Sequence, residues 1–279
     1  MRGRILSAPV QRFGGNSPRR EQDLLAVEEP LQIRLGERDV SITMRTPGND
    51  AELAVGFLFT EGILESAADI ARIDCGENQV DVTLGPGVEI DAARLQRNFY
   101  TTSSCGVCGK ASIEALALAG CAMLPRGIPQ VAEYTLHSLP AKIREAQALF
   151  DRTGGLHAAA LCSAQGELIA VREDVGRHNA VDKLVGWAVM EGAVPLRDRI
   201  VVVSGRASFE LVQKSAMAGI PILAAVGAPS SLAVKTALRF GMTLIGFLRQ
   251  ERFNVYAGAD RIRGGEGERS GRRGVVAPV

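Results

Sequence analysis

The sequence predicts an α/β sandwich preceded by a smaller α+β part, and two observations carry that prediction. From residue 157 onward, short and almost wholly apolar runs alternate with helix-length segments, the pattern of parallel βαβ units covered by helices on both faces. Ahead of that, runs of apolar–polar alternation bounded by turn residues mark strands with one buried face. The chain divides on this reading into a disordered basic tail over 1–22, an α+β part over 23–138, the α/β domain over 139–258 and a disordered Arg/Gly-rich tail over 259–279.

The elements follow in order. Leu31–Leu35 and Val40–Met44 alternate on either side of Gly36-Glu37-Arg38-Asp39 and read as a β-hairpin. Asn49 or Asp50 caps a helix running through Gly56 and Phe59 and stopping near Gly62. Val80–Leu84 is a further strand, closed by Gly85-Pro86-Gly87. Residues 98–109 are small, polar and unpatterned and read as a loop, followed by a helix over 110–119. Residues 121–138 read as a connector, and a helix from Pro140 to Arg152 ends at Gly154-Gly155. Strands His157–Ser163 and Glu167–Arg172 then flank Ala164-Gln165-Gly166. Helices over 179–190, 208–217 and 230–240 alternate with strands over 199–203, 220–226 and 242–248, and Phe253–Tyr256 adds one more strand.

Composition narrows the function classes. The apolar fraction of 46% and charged fraction of 23% are those of a globular protein, and the 5% of aromatics makes its core aliphatic. A net charge of +1 offers no global argument for nucleic-acid binding. No run of about 18 uncharged apolar residues exists to span a membrane, and Met1–Leu6 lacks the apolar stretch of a secretory signal, so a cytoplasmic location is expected. The five cysteines, an odd number, argue against a disulfide framework. Five arginines and no acid fall within residues 1–20, and five more arginines lie among glycines over 261–273; both ends read as solvated tails, with a basic arm for an anionic partner as the sharper reading.

The most chemical segment is Ser103-Ser104-Cys105-Gly106-Val107-Cys108-Gly109-Lys110. Two thiols at this spacing can share one small volume. Lys110 and the N-terminus of the helix expected next both favour thiolate, the nucleophile of thiol chemistry. Zinc would need two further ligands, and Cys75, Cys121, His137, His157 and His178 show no second paired spacing, so no metal is expected. A thioredoxin-like redox pair fits the spacing but lacks the preceding apolar strand, which here is Thr101-Thr102-Ser103-Ser104. Redox chemistry and sulfur carriage through a persulfide both remain open on the cysteines alone.

A second constellation lies at the strand ends of the α/β half, where such sheets bind ligands. His157 follows Thr153-Gly154-Gly155-Leu156, and Arg177 and His178 stand within the charged run Arg172–Lys183 at a strand-to-helix junction. Ser204-Gly205-Arg206-Ala207-Ser208 turns from strand to helix in the way that aims N–H groups at an anion, and Gly227-Ala228-Pro229-Ser230-Ser231 repeats the layout. Phe247-Leu248-Arg249-Gln250-Glu251-Arg252 follows the last strong strand with two guanidinium groups suited to phosphate.

Met44–Asp50, Ser104–Gly109, Thr153–His157, Arg172–Ala180 and Ser204–Ser208 together resemble the FdhD family of formate dehydrogenase accessory sulfurtransferases, over roughly residues 25–257. The resemblance implies a cytidine-deaminase-like α/β/α fold, a homodimer, and a sulfurtransferase that takes sulfur from a cysteine desulfurase. It implies delivery to the bis-molybdopterin guanine dinucleotide form of the molybdenum cofactor, a substrate and not a permanently bound group, for formate dehydrogenase. On that resemblance Cys105 is the persulfide carrier, Cys108 its helper, and Phe247 to Arg252 the cofactor contact. A zinc deaminase needs His-x-Glu ahead of Pro-Cys-x-x-Cys; here Cys105 and Cys108 precede His157, and His157-Ala158-Ala159 lacks the glutamate, so deamination is not expected. Two alternatives to sulfur transfer stand: a non-covalent molybdenum-cofactor chaperone, and a thiol–disulfide oxidoreductase. No nucleic-acid or membrane partner is expected.

Overall fold

A computed structural model of the chain describes residues 3–14, 17–88 and 121–264. Cys105 and Cys108, the loop expected over 98–109, the helix expected over 110–119 and the Arg-rich stretch from residue 265 lie outside the described residues.

Ile5–Arg12 (β1) pairs antiparallel with Arg19–Ala26 (β2), Ile5 opposite Ala26 and Arg12 opposite Arg19. This corrects the disordered tail expected over 1–22. Most side chains of the ribbon are exposed, so backbone pairing makes it, and composition does not register backbone pairing. Its root is fixed by Val27 N–H donating to Arg4 O (3.0 Å) and by Arg4 Nη2 donating to Asn49 Oδ1 (2.9 Å).

Glu29–Leu35 (β3), Arg38–Arg45 (β4), Ile70–Gly76 (β5) and Gln79–Leu84 (β6) form a four-stranded sheet in the order β4-β3-β6-β5. The expected hairpin is β3–β4, and β3 also pairs parallel with β6. The alternation buries Leu31, Ile33, Leu35, Val40, Val80 and Val82 against helix α1, Asp50–Thr60. Asn49 takes the N-cap position of α1 in the left-handed region (φ 59°), but its side chain accepts from Arg4 and not from the helix.

The second half forms a six-stranded sheet. Its strands are His157–Ser163 (β8), Leu168–Asp174 (β9), Arg199–Val203 (β10), Ile222–Ala225 (β11), Thr243–Gly246 (β12) and Asn254–Ala257 (β13), in the order β13-β12-β11-β10-β8-β9. Within this sheet β10, β11 and β12 are mutually parallel. These are the expected parallel units; short connections make β8–β9 and β12–β13 antiparallel pairs, and β8 also runs antiparallel to β10. Glu133–Ala146 (α2) and Ala148–Thr153 (α3) precede the sheet, and Arg177–Met190 (α4), Phe209–Met217 (α5) and Ser231–Phe240 (α6) cross between its strands.

Alternate strand residues divide the core in two. Ala159, Leu161, Val201, Val203, Leu223, Ala225 and Leu244 belong to the cluster formed with α1, α4, α5 and α6. Ala160, Cys162, Ile200, Val202, Ile222, Ala224 and Ile245 pack with Leu136, Leu139 and Ile143 of α2. The result is an α/β/α sandwich carrying a smaller α+β part. The first cluster runs without interruption from Leu31 and Val80 to Val201 and Leu223, so the two parts share a core. They meet where α1 crosses α4: a Cβ on Gly56 would lie 1.8 Å from Asp182 O, and one on Gly186 would lie 1.8 Å from Glu52 O.

Three boundaries differ from expectation. The helix placed from Pro140 to Arg152 is two helices that break at Gln147, with Pro140 inside the first, so the expected boundary at 138/139 falls within α2. The C-terminal tail does not begin at 259: Arg261 is wholly buried, and Ile262–Arg263 (β14) pairs with Val131–Ala132 (β7). Arg261 Nε donates to Ile128 O (2.7 Å), Nη1 to Thr243 Oγ1 (3.1 Å) and Nη2 to Pro125 O. These acceptors satisfy a buried guanidinium that a composition reading assigns to solvent. Among the described residues no helix is long and apolar enough to cross a membrane.

Candidate ligand-binding site

The carboxyl ends of β10, β11 and β12 and the start of antiparallel β8 lie along one edge of the sheet. Backbone bonding continues past the strands into the loops. Val226 N–H donates to Val203 O (3.0 Å), Gly227 N–H to Gly205 O (2.8 Å), Phe247 N–H to Gly227 O (3.1 Å) and Leu248 N–H to Ala225 O (3.0 Å). Ser204 stitches the edge to β8: its hydroxyl accepts Ala158 N–H (2.9 Å) and its own N–H donates to Ala158 O (3.0 Å). Gly227 is required here, because a Cβ would lie 2.9 Å from both Arg206 Cα and Gly205 O. Phe247 turns the chain through the left-handed region (φ 53°), a backbone cost of the kind that collects at ligand sites.

Between this edge and α2–α3 opens a cavity of about 1190 Å³. His157, Ser204, Leu248, Arg249, Gln250, Glu251 and Arg252, seven of the eleven residues singled out as cofactor contacts, line it. Phe247 is exposed beside them and is not part of the lining. Ile143, Phe150, Leu156, Val202, Val226 and Leu248 give the cavity apolar walls, while Arg144, Arg249 and Arg252 bring cations to it. Arg249 is stapled to the backbone through Nη1, which donates to Val226 O (2.7 Å) and Leu248 O (2.8 Å), and this fixes the loop that carries Arg252.

Arg177, His178 and Arg206 are not in the lining; they stand beside it, at the starts of α4 and α5. A Cβ on Gly205 would touch the His157 ring at 3.3 Å and Arg177 Cδ at 3.9 Å, so these two side chains flank the Ser204-Gly205 turn. Arg177 Nε is buried with no hydrogen-bond partner among the described residues. His178 Nε2 lies 2.7 Å from Glu210 Oε2 and 3.3 Å from Ser208 Oγ. That hydrogen bond holds the Glu210 carboxyl below its usual range. Burial, then the charges of Arg177 and His178, push the His157 imidazole below its ordinary value, with Asp174 opposing. The edge thus sets an imidazole disfavoured as a cation beside an unpaired guanidinium N–H, and the guanidinium is the group suited to an anionic ligand. Among the described residues no group of three or more His, Cys, Asp or Glu is placed to hold a metal ion.

The sequence reading missed the opposite wall. Gln147, Phe150 and Arg144 line the cavity from the α2–α3 junction. A continuous helix from 140 to 152 leaves Gln147 an ordinary polar surface residue; the break in the helix is what turns it inward. The only local signal was Thr153-Gly154-Gly155, which closes the same wall.

Residues 26–263 match the model of the FdhD/NarQ family. The chain is 55% identical over 251 residues to "Sulfur carrier protein FdhD" of Mycolicibacterium paratuberculosis, covering 86% of this chain and 92% of that protein. It is 43% identical over 242 residues to the protein of the same name from Sulfolobus acidocaldarius, covering 86% and 92%. Among solved structures it resembles a putative formate dehydrogenase accessory protein from Desulfotalea psychrophila, with a TM-score of 0.76 and 26% identity over 94% of this chain and 100% of that one.

Proposed function

Because the chain belongs to the FdhD/NarQ family, we propose that it is a cytoplasmic sulfurtransferase that carries sulfur as a persulfide on Cys105 and delivers it to a pterin–guanine dinucleotide molybdenum cofactor bound at the sheet edge. The names of its relatives support sulfur carriage, and the accessory role named for the Desulfotalea psychrophila protein supports formate dehydrogenase as the recipient. The observation that carries the cofactor reading is the cavity. At about 1190 Å³ it exceeds the span of a typical drug-sized site, and its apolar walls and arginines suit a large ligand with flat rings and phosphates.

The sulfur step balances without an added oxidant. The Cys105 thiolate attacks the outer sulfur of a donor persulfide on a cysteine desulfurase; the donor S–S bond breaks, a new S–S bond forms on Cys105, and the donor leaves as thiolate. Cys108 stands three positions on. Its thiolate attacks the inner sulfur on Cys105, the Cys105 S–S bond breaks, and the outer sulfur leaves as sulfide toward the cofactor. The Cys105–Cys108 disulfide that forms is reduced by an external thiol before the next cycle. The protein acts as a homodimer in this reading, and the cofactor is substrate. At the sheet edge, Arg252 and Arg177 hold phosphate, and neutral His157 accepts a hydrogen bond from the bound ligand.

Intact mass after incubation with a cysteine desulfurase and cysteine tests the reading: one added sulfur atom on the native chain, and none on Cys105→Ala. A Cys105→Ala chain that still activates formate dehydrogenase would replace sulfur transfer by non-covalent delivery of the cofactor.

A further inference from the structure

We propose that Gln147 reads the hydrogen-bonding edge of a ring bound in the cavity, and that this ring carries a lactam, a carbonyl beside a ring N–H. The inference rests on the cofactor reading above and deepens it. Gln147 is 5% exposed and lines the cavity from the break between α2 and α3. Its backbone is engaged, the N–H donating to Arg144 O (3.3 Å) and the carbonyl accepting Asp151 N–H (3.0 Å). Its carboxamide has no hydrogen-bond partner among the described residues. The amide stands at the cavity wall, where a bound ligand can supply its hydrogen bonds.

The surroundings narrow the ligand. Ile143, Phe150, Leu156 and Leu248 give the lining apolar surface that suits a flat ring, with Arg144 and Glu145 beside it. The wall is tied to the strand behind it and across the break between its two helices. Glu173 accepts Leu149 N–H (3.1 Å) and Phe150 N–H (2.8 Å). Arg144 sits 4.5 Å over the Phe150 ring and pairs with Asp151 at 2.8 Å. A carboxamide offers one acceptor and one donor side by side, the complement of a lactam edge. Both rings of the proposed cofactor, guanine and pterin, present that edge.

The test is calorimetric titration of the full chain with guanosine diphosphate, 1-methylguanosine diphosphate and pterin-6-carboxylate. The native chain should bind guanosine diphosphate or the pterin, and Gln147→Met should weaken that probe about ten- to a hundredfold, as expected when a buried hydrogen-bonding pair loses one member. Whichever probe shows the Gln147-dependent loss is the half that lies here. If guanine lies here, the 1-methyl group weakens binding to the native chain and makes no difference to Gln147→Met; the methylated probe also keeps the inference testable if the variant fails to fold. The melting temperature of Gln147→Met without ligand should equal or exceed the native value, which a structural role for the amide would not allow. Equal affinity of native and Gln147→Met for a probe that binds would overturn the inference and leave the cofactor reading standing. Binding of no probe by the native chain would overturn both.

Discussion

Lys183 Nζ lies 2.7 Å from Asp174 Oδ2, and the two side chains are 2% and 0% exposed. Asp174 also accepts Thr46 N–H (3.1 Å), Gly176 N–H (2.8 Å) and Asn179 Nδ2 (3.0 Å), while Lys183 donates to Thr46 O (2.8 Å). One buried ion pair therefore ties the end of β4, the end of β9 and the start of α4, and His157 sits opposite Asp174 in the β8–β9 register. The ligand edge and the joint between the two parts of the molecule are held by the same carboxylate.

Removing one partner should be costly. Burial depresses the Lys183 pKa and Asp174 opposes it, and the two buried side chains lie in direct contact. Lys183→Met should lower unfolding free energy by about 3–5 kcal/mol, read as a fall in the urea midpoint. Adding Asp174→Asn should recover part of that loss, because the stranded charge is gone.

The α1–α4 crossing should reject a methyl group. Since a Cβ at Gly56 would meet the Asp182 carbonyl, Gly56→Ala has to push the helices apart. A loss of about 3 kcal/mol or more and a lower melting temperature are expected. Gly192→Ala makes a useful contrast: no atom lies within 4 Å of its Cβ, so only its positive φ (66°) resists substitution.

Gly227→Ala should act on the site more than on the fold. Its Cβ would displace the Gly205-Arg206 backbone that the loop ladder depends on. Guanosine diphosphate affinity should fall about tenfold, roughly 1.4 kcal/mol. Calorimetry, alongside a melt showing a smaller stability change than Gly56→Ala, would check this.

Acid stability should carry a His157 component. Its folded pKa is depressed below 6.5 by burial and by Arg177 and His178, so the unfolded chain binds more protons just below that value. Stability therefore rises with pH through the window below 6.5 and levels off above it. His157→Asn should flatten that part of the profile in urea midpoints measured on both sides of 6.5.

Much of the second half was legible because its central strands are buried on both faces. The apolar run Arg199–Val203 coincides with β10 from end to end, and Ser208 and Ser230 stand at the N-caps of the helices predicted to start there. The site loops were legible too, since a glycine turn after an apolar strand needs no partner to be recognised. Seven of the residues singled out at the strand ends do converge on one cavity.

What the sequence determined by itself was the family and the order of apolar strands and helices, because periodicity and motif pattern are local properties of the chain. Tertiary structure alone decided which polar residues leave solvent. Arg261 resembles any arginine near a basic tail until three acceptors from distant segments surround it. Gln147 resembles a surface glutamine until a helix break places it in the cavity wall. The β1–β2 ribbon likewise rests on pairing between backbones that composition does not distinguish. Burial and hydrogen-bond completion depend on segments far apart in sequence, and those contacts set where the ligand edge meets the wall that reads it.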